Sequence, residues 1–225
     1  MKANFMSVAR HRNRLLCALL IGGAVLPALQ GCFPLAAAGF GTGVLATVDR
    51  RTIGTQTEDE TIEWKASSRI SEKLGDRVHL NYTSFNRKVL LTGEAPSPEI
   101  RAEAERIVSE VPNVTGVYNE IIIAGSSSFT ARSNDTYVTS KVKARFIDAN
   151  RFNATQVKVV TEAGTVFLMG LVTQREASAA IDVARTTSGV MKVVSVMEII
   201  SEAKAKELDL PKADKSKQPE QRPGG

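Results

Sequence analysis

Apolar and polar residues follow the same order twice along this chain, over residues 58–124 and again over residues 134–200. Each copy opens with apolar residues spaced four apart, the spacing at which side chains share one face of a helix. The residues on these two faces are Ile62, Ala66, Ile70 and Leu74 in the first copy and Val138, Val142 and Phe146 in the second. A pattern repeated at this length indicates two copies of one structural unit.

A hairpin follows each predicted helix. Residues 78–82 and 157–161 alternate between apolar and polar side chains, and after a short turn a second apolar strand ends in glycine. Strands joined by so few residues pair antiparallel. Gly93 and Gly170 hold this place in the two copies, where the missing side chain lets the backbone turn sharply or approach the next helix closely. We therefore expect both glycines to be structural, and we expect replacing either to impair folding.

A second helix and a last strand complete each copy. Helix-capping signals occur at Ser97-Pro98-Glu99 and at Thr173-Gln174-Arg175-Glu176. Apolar strands at 114–123 and 190–200 then close the two units. The predicted fold is α+β, with two tandem domains that are each α-β-β-α-β. In each domain, two helices cover one face of a three-stranded mixed sheet.

The segments outside the two copies differ from them in composition. Residues 32–57 form an apolar, glycine-containing tether that either lies against a membrane or packs on the first domain. Residues 125–133 form a linker that opens with glycine and serine, a composition that permits some motion between domains. Residues 201–225 carry many charged residues and few apolar ones, which predicts a disordered tail with room for a short helix at 202–208.

The amino terminus has the layout of an export signal. Four basic residues precede an apolar run from Leu15 to Leu29, and the first acidic residue is Asp49. The run is shorter than the ~20 residues that a membrane-spanning helix needs. It leads into Leu-Gln-Gly-Cys, which resembles a bacterial lipobox, so we predict that residues 1–31 are removed and that Cys32 is lipidated. The alternative is an ordinary cleaved signal in which Cys32 is incidental.

Charge and cysteine content argue against nucleic-acid binding and against a disulfide-stabilised fold. The net charge is +5, but four of the positive charges lie in the predicted signal, which leaves +1 for the mature chain. No concentrated run of lysine and arginine is present of the kind that nucleic acid requires. Of the two cysteines, Cys17 is removed with the signal and Cys32 is lipidated, so the apolar cores alone must hold the domains together.

The two copies resemble a known family in their strand motifs. The second strands end in hydrophobic-Thr/Met-Gly at 91–93 and 168–170, and the last strands open with Val-x-x-Val at 114–117 and 190–193. These motifs are similar to those of BON domains. With a lipobox in front, the layout resembles the dual-BON-domain outer-membrane lipoproteins, of the type associated with division, outer-membrane stress and lipid binding.

This resemblance implies a location and a function. It implies an outer-membrane lipid anchor with both domains facing the periplasm, and binding of an anionic phospholipid membrane by the second domain. It also implies a role in envelope integrity, with no catalytic activity and no cofactor.

The second copy carries the charge that such a membrane contact needs. Residues 58–124 have eight basic and twelve acidic residues, a net charge of −4, whereas residues 126–200 have nine basic and six acidic residues, a net charge of +3. A helical wheel of the second copy's first helix places apolar and basic side chains together on the face away from the core, as in helices that lie on membranes. For the tyrosine on this face, packing between the domains is the alternative. With the following loop, the predicted lipid-binding residues are Tyr137, Lys141, Lys143, Ala144, Ile147, Arg151 and Phe152.

Two other classes of function fit the sequence less well. A lipid-anchored periplasmic adaptor would bind an envelope protein through exposed strand edges or through the negative first domain, without lipid specificity. An enzyme would need chemistry that the pattern lacks, since the two histidines are His11, in the signal, and His79, on an alternating strand where solvent exposure is ordinary. The sequence contains no nucleophile–base pair and no metal-ligand spacing, so we expect neither a metal nor a cofactor.

Overall fold

The computed structural model describes residues 49–210, which include both repeats. The predicted signal, Cys32 and most of the tether precede these residues, so the predictions made for them lie outside the described part of the chain. None of the helices within residues 49–210 combines the length and the hydropathy that crossing a bilayer requires.

The first repeat folds as α-β-β-α-β, as predicted. Its elements are, in chain order, α1 (Ile53–Lys73), β1 (His79–Phe85), β2 (Lys88–Ala95), α2 (Pro98–Ser109), β3 (Gly116–Asn119) and β4 (Ile122–Ile123). Strands β1 and β2 form an antiparallel hairpin, and α2 leads the chain back so that β3 and β4 pair parallel with β2. The sheet is therefore mixed, in the order β1-β2-β3, and β4 pairs with the end of β2.

The second repeat follows the same order. Its elements are α3 (Phe129–Ala149), β5 (Lys158–Glu162), β6 (Thr165–Met169), β7 (Leu171–Val172), α4 (Gln174–Arg185), β8 (Lys192–Ser195) and β9 (Glu198–Ile199). Strands β5 and β6 pair antiparallel, whereas β8 pairs parallel with β6 and β9 parallel with β7. The predicted capping box is present at the start of α4, where Thr173 and Glu176 each bond the other's backbone N–H. The α+β architecture of two tandem units is confirmed.

The last strand of each repeat is split rather than continuous. The sequence predicted single strands at 114–123 and 190–200, but the structure has β3 with β4 and β8 with β9. Backbone bonding continues across the first break, where Glu120 N donates to Leu91 O at 2.9 Å. The breaks lie opposite the glycine that ends the central apolar run of each repeat, Gly93 in the first and Gly170 in the second.

Close backbone neighbours explain both glycines. A β-carbon on Gly93 would collide with the carbonyl oxygen of His79, and one on Gly170 would collide with that of Gln156. Gly93 also has a φ of +109°, which a residue with a side chain rarely adopts. The atom that crowds Gly93 belongs to the start of the first hairpin, and the atom that crowds Gly170 belongs to the turn before the second hairpin. The sequence suggested a close approach to the next helix instead.

Both first helices begin earlier than the sequence predicted. Thr52 and Ser128 act as N-caps, so α1 begins at Ile53 and α3 at Phe129. The last residues of the predicted tether and of the predicted linker are therefore helical.

An acidic residue within each of these helices binds the turn of the hairpin that follows it. Asp59 is buried, and its carboxylate accepts hydrogen bonds from Asn86 N at 2.8 Å and Arg87 N at 2.7 Å. Asp135 makes the equivalent two bonds to the turn of the second hairpin, both at 2.9 Å. In each domain, a carboxylate of the first helix holds the turn between the first two strands.

Each repeat buries its own apolar core between its sheet and its helices. The helix faces predicted from the sequence lie in these cores, with Ile62, Ala66 and Val142 fully buried. Burying a large aliphatic side chain contributes about 1.5–3 kcal/mol, so these faces are a main source of stability in domains without a disulfide.

The two repeats also share an apolar cluster, in which the far faces of their sheets meet. Successive residues of a strand point to opposite faces, so the neighbours of these residues face the domain cores. Asn81 Nδ2 of the first domain donates to Glu162 Oε2 of the second at 2.8 Å beside this cluster. The linker at 125–133 thus joins domains that pack against each other, which restricts the motion that its composition suggested. The buried members of the cluster are Phe85, Leu90, Phe167, Met169 and Val196.

The segment after the second repeat begins with a helix rather than with disorder. Helix α5 (Glu202–Asp209) is capped by Ser201 and buries Ala205. Asp209, at its end, accepts hydrogen bonds from Arg50 at 2.9 and 2.8 Å. The short helix that the sequence allowed at 202–208 is present, and its end is bonded to Arg50. Residues 211–225 lie outside the described part of the chain.

Candidate membrane-binding surface

Helix α3 divides its side chains between the core of the second domain and solvent, as predicted. Val138 and Phe146 are buried, whereas Tyr137 and Ile147 are 62% and 68% exposed. Ala144 is exposed on the same face, less than one turn from Ile147. The apolar members of the predicted surface therefore face solvent together.

The two lysines of the predicted surface lie on opposite flanks of this face. Lys141 Nζ lies 5.3 Å from the centroid of the Tyr137 ring and donates to Ser188 O at 2.6 Å, on the side of the loop that follows α4. Lys143 is exposed and borders a groove between the two domains. Because positions 141 and 143 are about 200° apart on a helix, the lysines frame the apolar side chains rather than forming one paired patch.

The end of α3 brings three of the predicted residues around one cavity. Asn150 adopts the left-handed conformation, with a φ of 47°, and so ends the helix and redirects the chain. A cavity of about 510 Å³ opens there, and its lining includes Ile147, Arg151 and Phe152. Arg151 is exposed, and its guanidinium lies 3.9 Å from the carboxylate of Asp182 on α4. This end of the helix combines an apolar recess with a cation.

Phe152 contributes to packing more than to the exposed patch. Its ring packs edge-on against Phe146, with 5.0 Å between the centroids, and it is half-buried at the margin of the domain core. The sequence predicted that Phe152 extends the lipid-binding patch. The turn at Asn150 instead points it inward, so that it forms one wall of the cavity.

The groove between the domains was not predicted. Its volume is about 580 Å³, and strand β1 and helix α3 supply much of its lining. Hydroxyl groups are the commonest polar groups there, and the charged residues are the cations Arg132 and Lys143 and the acids Asp135 and Glu162. Tyr82 also lines it, and burial raises the pKa of Tyr82 to about 12. Residues of both domains line the groove, so it could not be predicted from the sequence pattern of either repeat alone.

The equivalent helix of the first domain presents a different surface. Trp64 on α1 is 70% exposed, so it is a large apolar side chain in a position comparable to Tyr137. Its neighbours on the helix include the exposed Glu60 and Ser68 and the half-buried Lys65, so a single cation and an acidic residue accompany the ring. The two domains thus differ in the charge that accompanies their exposed aromatic residue.

His79 is held between charged groups rather than exposed on its strand. Its Nδ1 lies 3.1 Å from Glu94 Oε2, and its Nε2 lies 3.4 Å from Arg132 Nη1 of the second domain. Within residues 49–210, no group of three or more His, Cys, Asp or Glu side chains is arranged to hold a metal ion.

Comparison with known proteins matches both repeats to one family. Residues 59–125 and 134–201 each match the family model of the BON domain. The chain is 36% identical, over 185 residues, to a Haemophilus influenzae protein named outer membrane lipoprotein DolP, a match that covers 81% of this chain and 95% of that protein. It is 35% identical, over 155 residues, to a 21 kDa hemolysin of Actinobacillus pleuropneumoniae, covering 68% of this chain and 80% of that one.

Similarity to solved structures is weaker. The C-terminal domain of CdsD, a structural protein of the type III secretion system of Chlamydia trachomatis, aligns with 61% of this chain and 96% of its own length. The identity is 10% and the TM-score is 0.27, which is too low to bear on the fold.

Proposed function

Because the chain belongs to the BON-domain family, we propose that it is an outer-membrane lipoprotein, anchored through Cys32, that binds anionic phospholipid through its second domain. The relative named outer membrane lipoprotein DolP supports this location, since it matches over most of both chains. From this anchor both domains face the periplasm. The role of the protein is to support envelope integrity by contact with the membrane rather than to catalyse a reaction.

The observation that carries this proposal is the exposed face of α3. Tyr137 and Ile147 project into solvent, while Lys141 and Lys143 flank them on either side. Helices that lie on a membrane place apolar side chains at the headgroup boundary and basic ones beside anionic headgroups. The first domain has a net charge of −4, and the lysine beside Trp64, Lys65, is accompanied by Glu60 and Glu63.

The anchor and the helix would contribute differently to binding. A basic side chain near an anionic surface contributes ~1 kcal/mol, so α3 alone supplies a weak contact. Once the lipid holds the protein at the bilayer, that contact becomes intramolecular and its effective concentration rises. The anchor therefore gives location, and α3 gives preference for anionic lipid.

The test uses residues 33–225, which lack the lipidated cysteine, so any binding must come from the protein itself. Both domains are kept, because the second domain buries Phe167 and Met169 against the first. The triple variant Tyr137→Ser, Lys141→Ala and Lys143→Ala should bind phosphatidylglycerol-containing vesicles at least about tenfold more weakly, since two lysines contribute ~1 kcal/mol each.

The matched control changes the same kinds of residue on the first domain. Trp64→Ser with Lys65→Ala should leave binding to the same vesicles unchanged, and vesicles of phosphatidylcholine alone should bind neither form appreciably. Thermal unfolding of every variant verifies that the fold is kept. Unchanged binding by the triple variant would contradict the assignment to α3.

The second candidate function is a lipid-anchored periplasmic adaptor that binds an envelope protein. The observation that favours it is the 70% exposure of Trp64 on the negatively charged first domain, where a partner would find an apolar anchor. Loss of a pulled-down partner on Trp64→Ser, with vesicle binding intact, would support this function.

A further inference from the structure

The loop between α4 and β8 exposes a methionine beside the candidate surface. Met191 is 83% exposed, more than any other large apolar side chain of residues 49–210. A long, flexible and polarisable side chain of this kind adapts readily to an apolar partner. A single exposed apolar residue is common on protein surfaces. The residues around Met191 decide whether its exposure has a function.

Two contacts place this loop against the middle of α3. Lys141 Nζ donates to Ser188 O at 2.6 Å while lying over the Tyr137 ring. A β-carbon on Gly189 would lie 3.0 Å from Cγ2 of Val138, the residue next to Tyr137. The loop and the tyrosine therefore belong to one continuous surface.

The turn of the second hairpin completes this surface and supports Met191. Met191 N donates to Gly164 O at 2.9 Å, and a β-carbon on Gly164 would lie 2.6 Å from Met191 Sδ. Gly164 is in turn held by Asp135 of α3 at 2.9 Å. The methionine is thus presented by a backbone that is fixed on both sides.

Two further hydrogen bonds also hold the loop at 186–192 in place. Val190 N donates to Thr187 O at 3.1 Å, and Arg145 of α3 donates to Thr187 Oγ1 at 3.1 Å. Because the loop is ordered by these bonds before it meets a partner, little entropy is lost when Met191 makes a contact.

The charge around Met191 suits an anionic partner. Residues 186–192 contain no acidic side chain, and Lys192, next to the methionine, is exposed. The acidic residues of the neighbouring elements are already engaged: Asp135 binds the hairpin turn, Glu162 accepts from Asn81, and Asp182 lies 3.3 Å from Arg185. The loop itself is bonded by Lys141 at Ser188 and ends at Lys192.

We propose that the loop at 186–192 is a second membrane-contact element, which inserts Met191 at the headgroup boundary of an anionic bilayer beside Tyr137. This inference rests on the proposed function and adds to it. The contact surface then consists of the exposed face of α3 and this loop, with Lys141 and Lys192 as the basic residues beside Met191.

The test uses the fact that Trp64 is the only tryptophan of the chain. In residues 33–225 carrying Trp64→Phe, the further change Met191→Trp places a single fluorophore at the loop. On addition of vesicles of phosphatidylglycerol and phosphatidylcholine, its emission should shift to shorter wavelength and be quenched by brominated acyl chains.

A matched control places the fluorophore elsewhere in the same domain. Ile199 is 52% exposed and lies roughly 25 Å along the last strand from Met191. Ile199→Trp in the same background should show neither the shift nor the quenching. Met191→Ser, with Trp64 present, should weaken vesicle binding about three- to tenfold, because a partly buried methionine contributes only part of its full burial energy.

The outcomes separate the inference from the proposed function. If the Met191→Trp protein sediments with the vesicles but its emission does not change, the loop is not in the membrane and the inference is overturned while the proposed function stands. If the Trp64→Phe parent and the wild-type chain both fail to sediment with anionic vesicles, the proposed function is overturned and the inference with it. An emission shift produced by an envelope protein and not by vesicles would also overturn the inference.

Discussion

Arg50, which precedes the first domain, is held by Glu176 at the start of a helix in the second. Its guanidinium donates to the two carboxylate oxygens at 2.7 and 3.0 Å, and both side chains are buried. Asp209 of α5 accepts two further bonds from the same guanidinium. The next residue, Arg51, pairs instead with Asp59 of the first domain at 2.7 Å. The segment that follows the proposed anchor at Cys32 is therefore bonded to both domains.

Removing Arg50 should destabilise the protein strongly. Arg50→Ala leaves the buried Glu176 carboxylate without its partner, which costs about 3–5 kcal/mol in comparable cases. Urea unfolding of residues 33–225 measures the free energy of unfolding. The control is Arg106→Ala, which breaks an exposed pair with Glu110 and should cost no more than about 1 kcal/mol. Equal effects of the two variants would contradict the importance of burial here.

The same pair gives stability a pH dependence of known sign. Burial acts to raise the pKa of Glu176, but the hydrogen bonds from Arg50 and Thr173 and the positive charge of Arg50 together outweigh it, so this pKa lies below its ordinary value of 4.5. A carboxylate with a lowered pKa stabilises the fold fully above the unfolded value, and this contribution is lost as the pH falls through the folded value. The free energy of unfolding should therefore drop as the pH is lowered from about 5 to about 3. Glu176→Gln should show a smaller drop over this range, and an equal drop would exclude Glu176 as the source.

The contact between the two sheets could have been predicted from apolar runs in the sequence, although the comparison of the two repeats does not indicate it. Residues 89–91 and 166–169 are uninterrupted apolar runs, whereas a strand with one face in solvent alternates. Leu90 and Phe167 occupy the second buried face. The helices and hairpins could be predicted because their periodicity is local, but which surface covers the far face of a sheet depends on the other domain.

Some residues of the candidate site could likewise be predicted from local periodicity, and others could not. The exposure of Tyr137 and Ile147 follows from helical periodicity alone, and the structure agrees. The inward position of Phe152 depends on the left-handed turn at Asn150, and the loop that carries Met191 is brought to α3 only by the folded domain. Contacts between residues far apart in the sequence, such as those of Arg50, cannot be predicted from a local sequence pattern.

Gly170 should tolerate no side chain, although its φ is ordinary. Gly170→Ala forces a β-carbon against the carbonyl oxygen of Gln156, so the strand or the preceding turn must move. We expect a loss of at least about 3 kcal/mol in the free energy of unfolding, with a lower melting temperature. Gly116→Ala, in β3, is the matched control, because its β-carbon would meet only Lys88 Cγ at 3.8 Å. A Gly170→Ala protein as stable as this control would contradict the steric argument.

Asp135 should matter for stability through the hairpin turn. Asp135→Ala removes two hydrogen bonds to the backbone N–H groups of Ala163 and Gly164 and leaves both donors without that partner. Bonds to a charged group contribute about 1.5–3 kcal/mol each, so a loss of about 3–6 kcal/mol is expected. Asp148→Ala, exposed on the same helix, should change stability by less than about 0.5 kcal/mol. Hydrogen exchange should show faster opening of the hairpin turn only in the first variant.

Changing Cys32 should separate location from lipid preference. In cells, Cys32→Ser should move the protein from the membrane fraction to the soluble fraction, because the acyl anchor is the stronger of the two proposed contacts. The purified variant should still bind phosphatidylglycerol-containing vesicles better than phosphatidylcholine vesicles, since α3 is unchanged. Adding the changes at Tyr137, Lys141 and Lys143 should abolish that preference. A Cys32→Ser protein that stays in the membrane fraction would contradict lipidation at this residue, and one without any lipid preference would assign all membrane contact to the anchor.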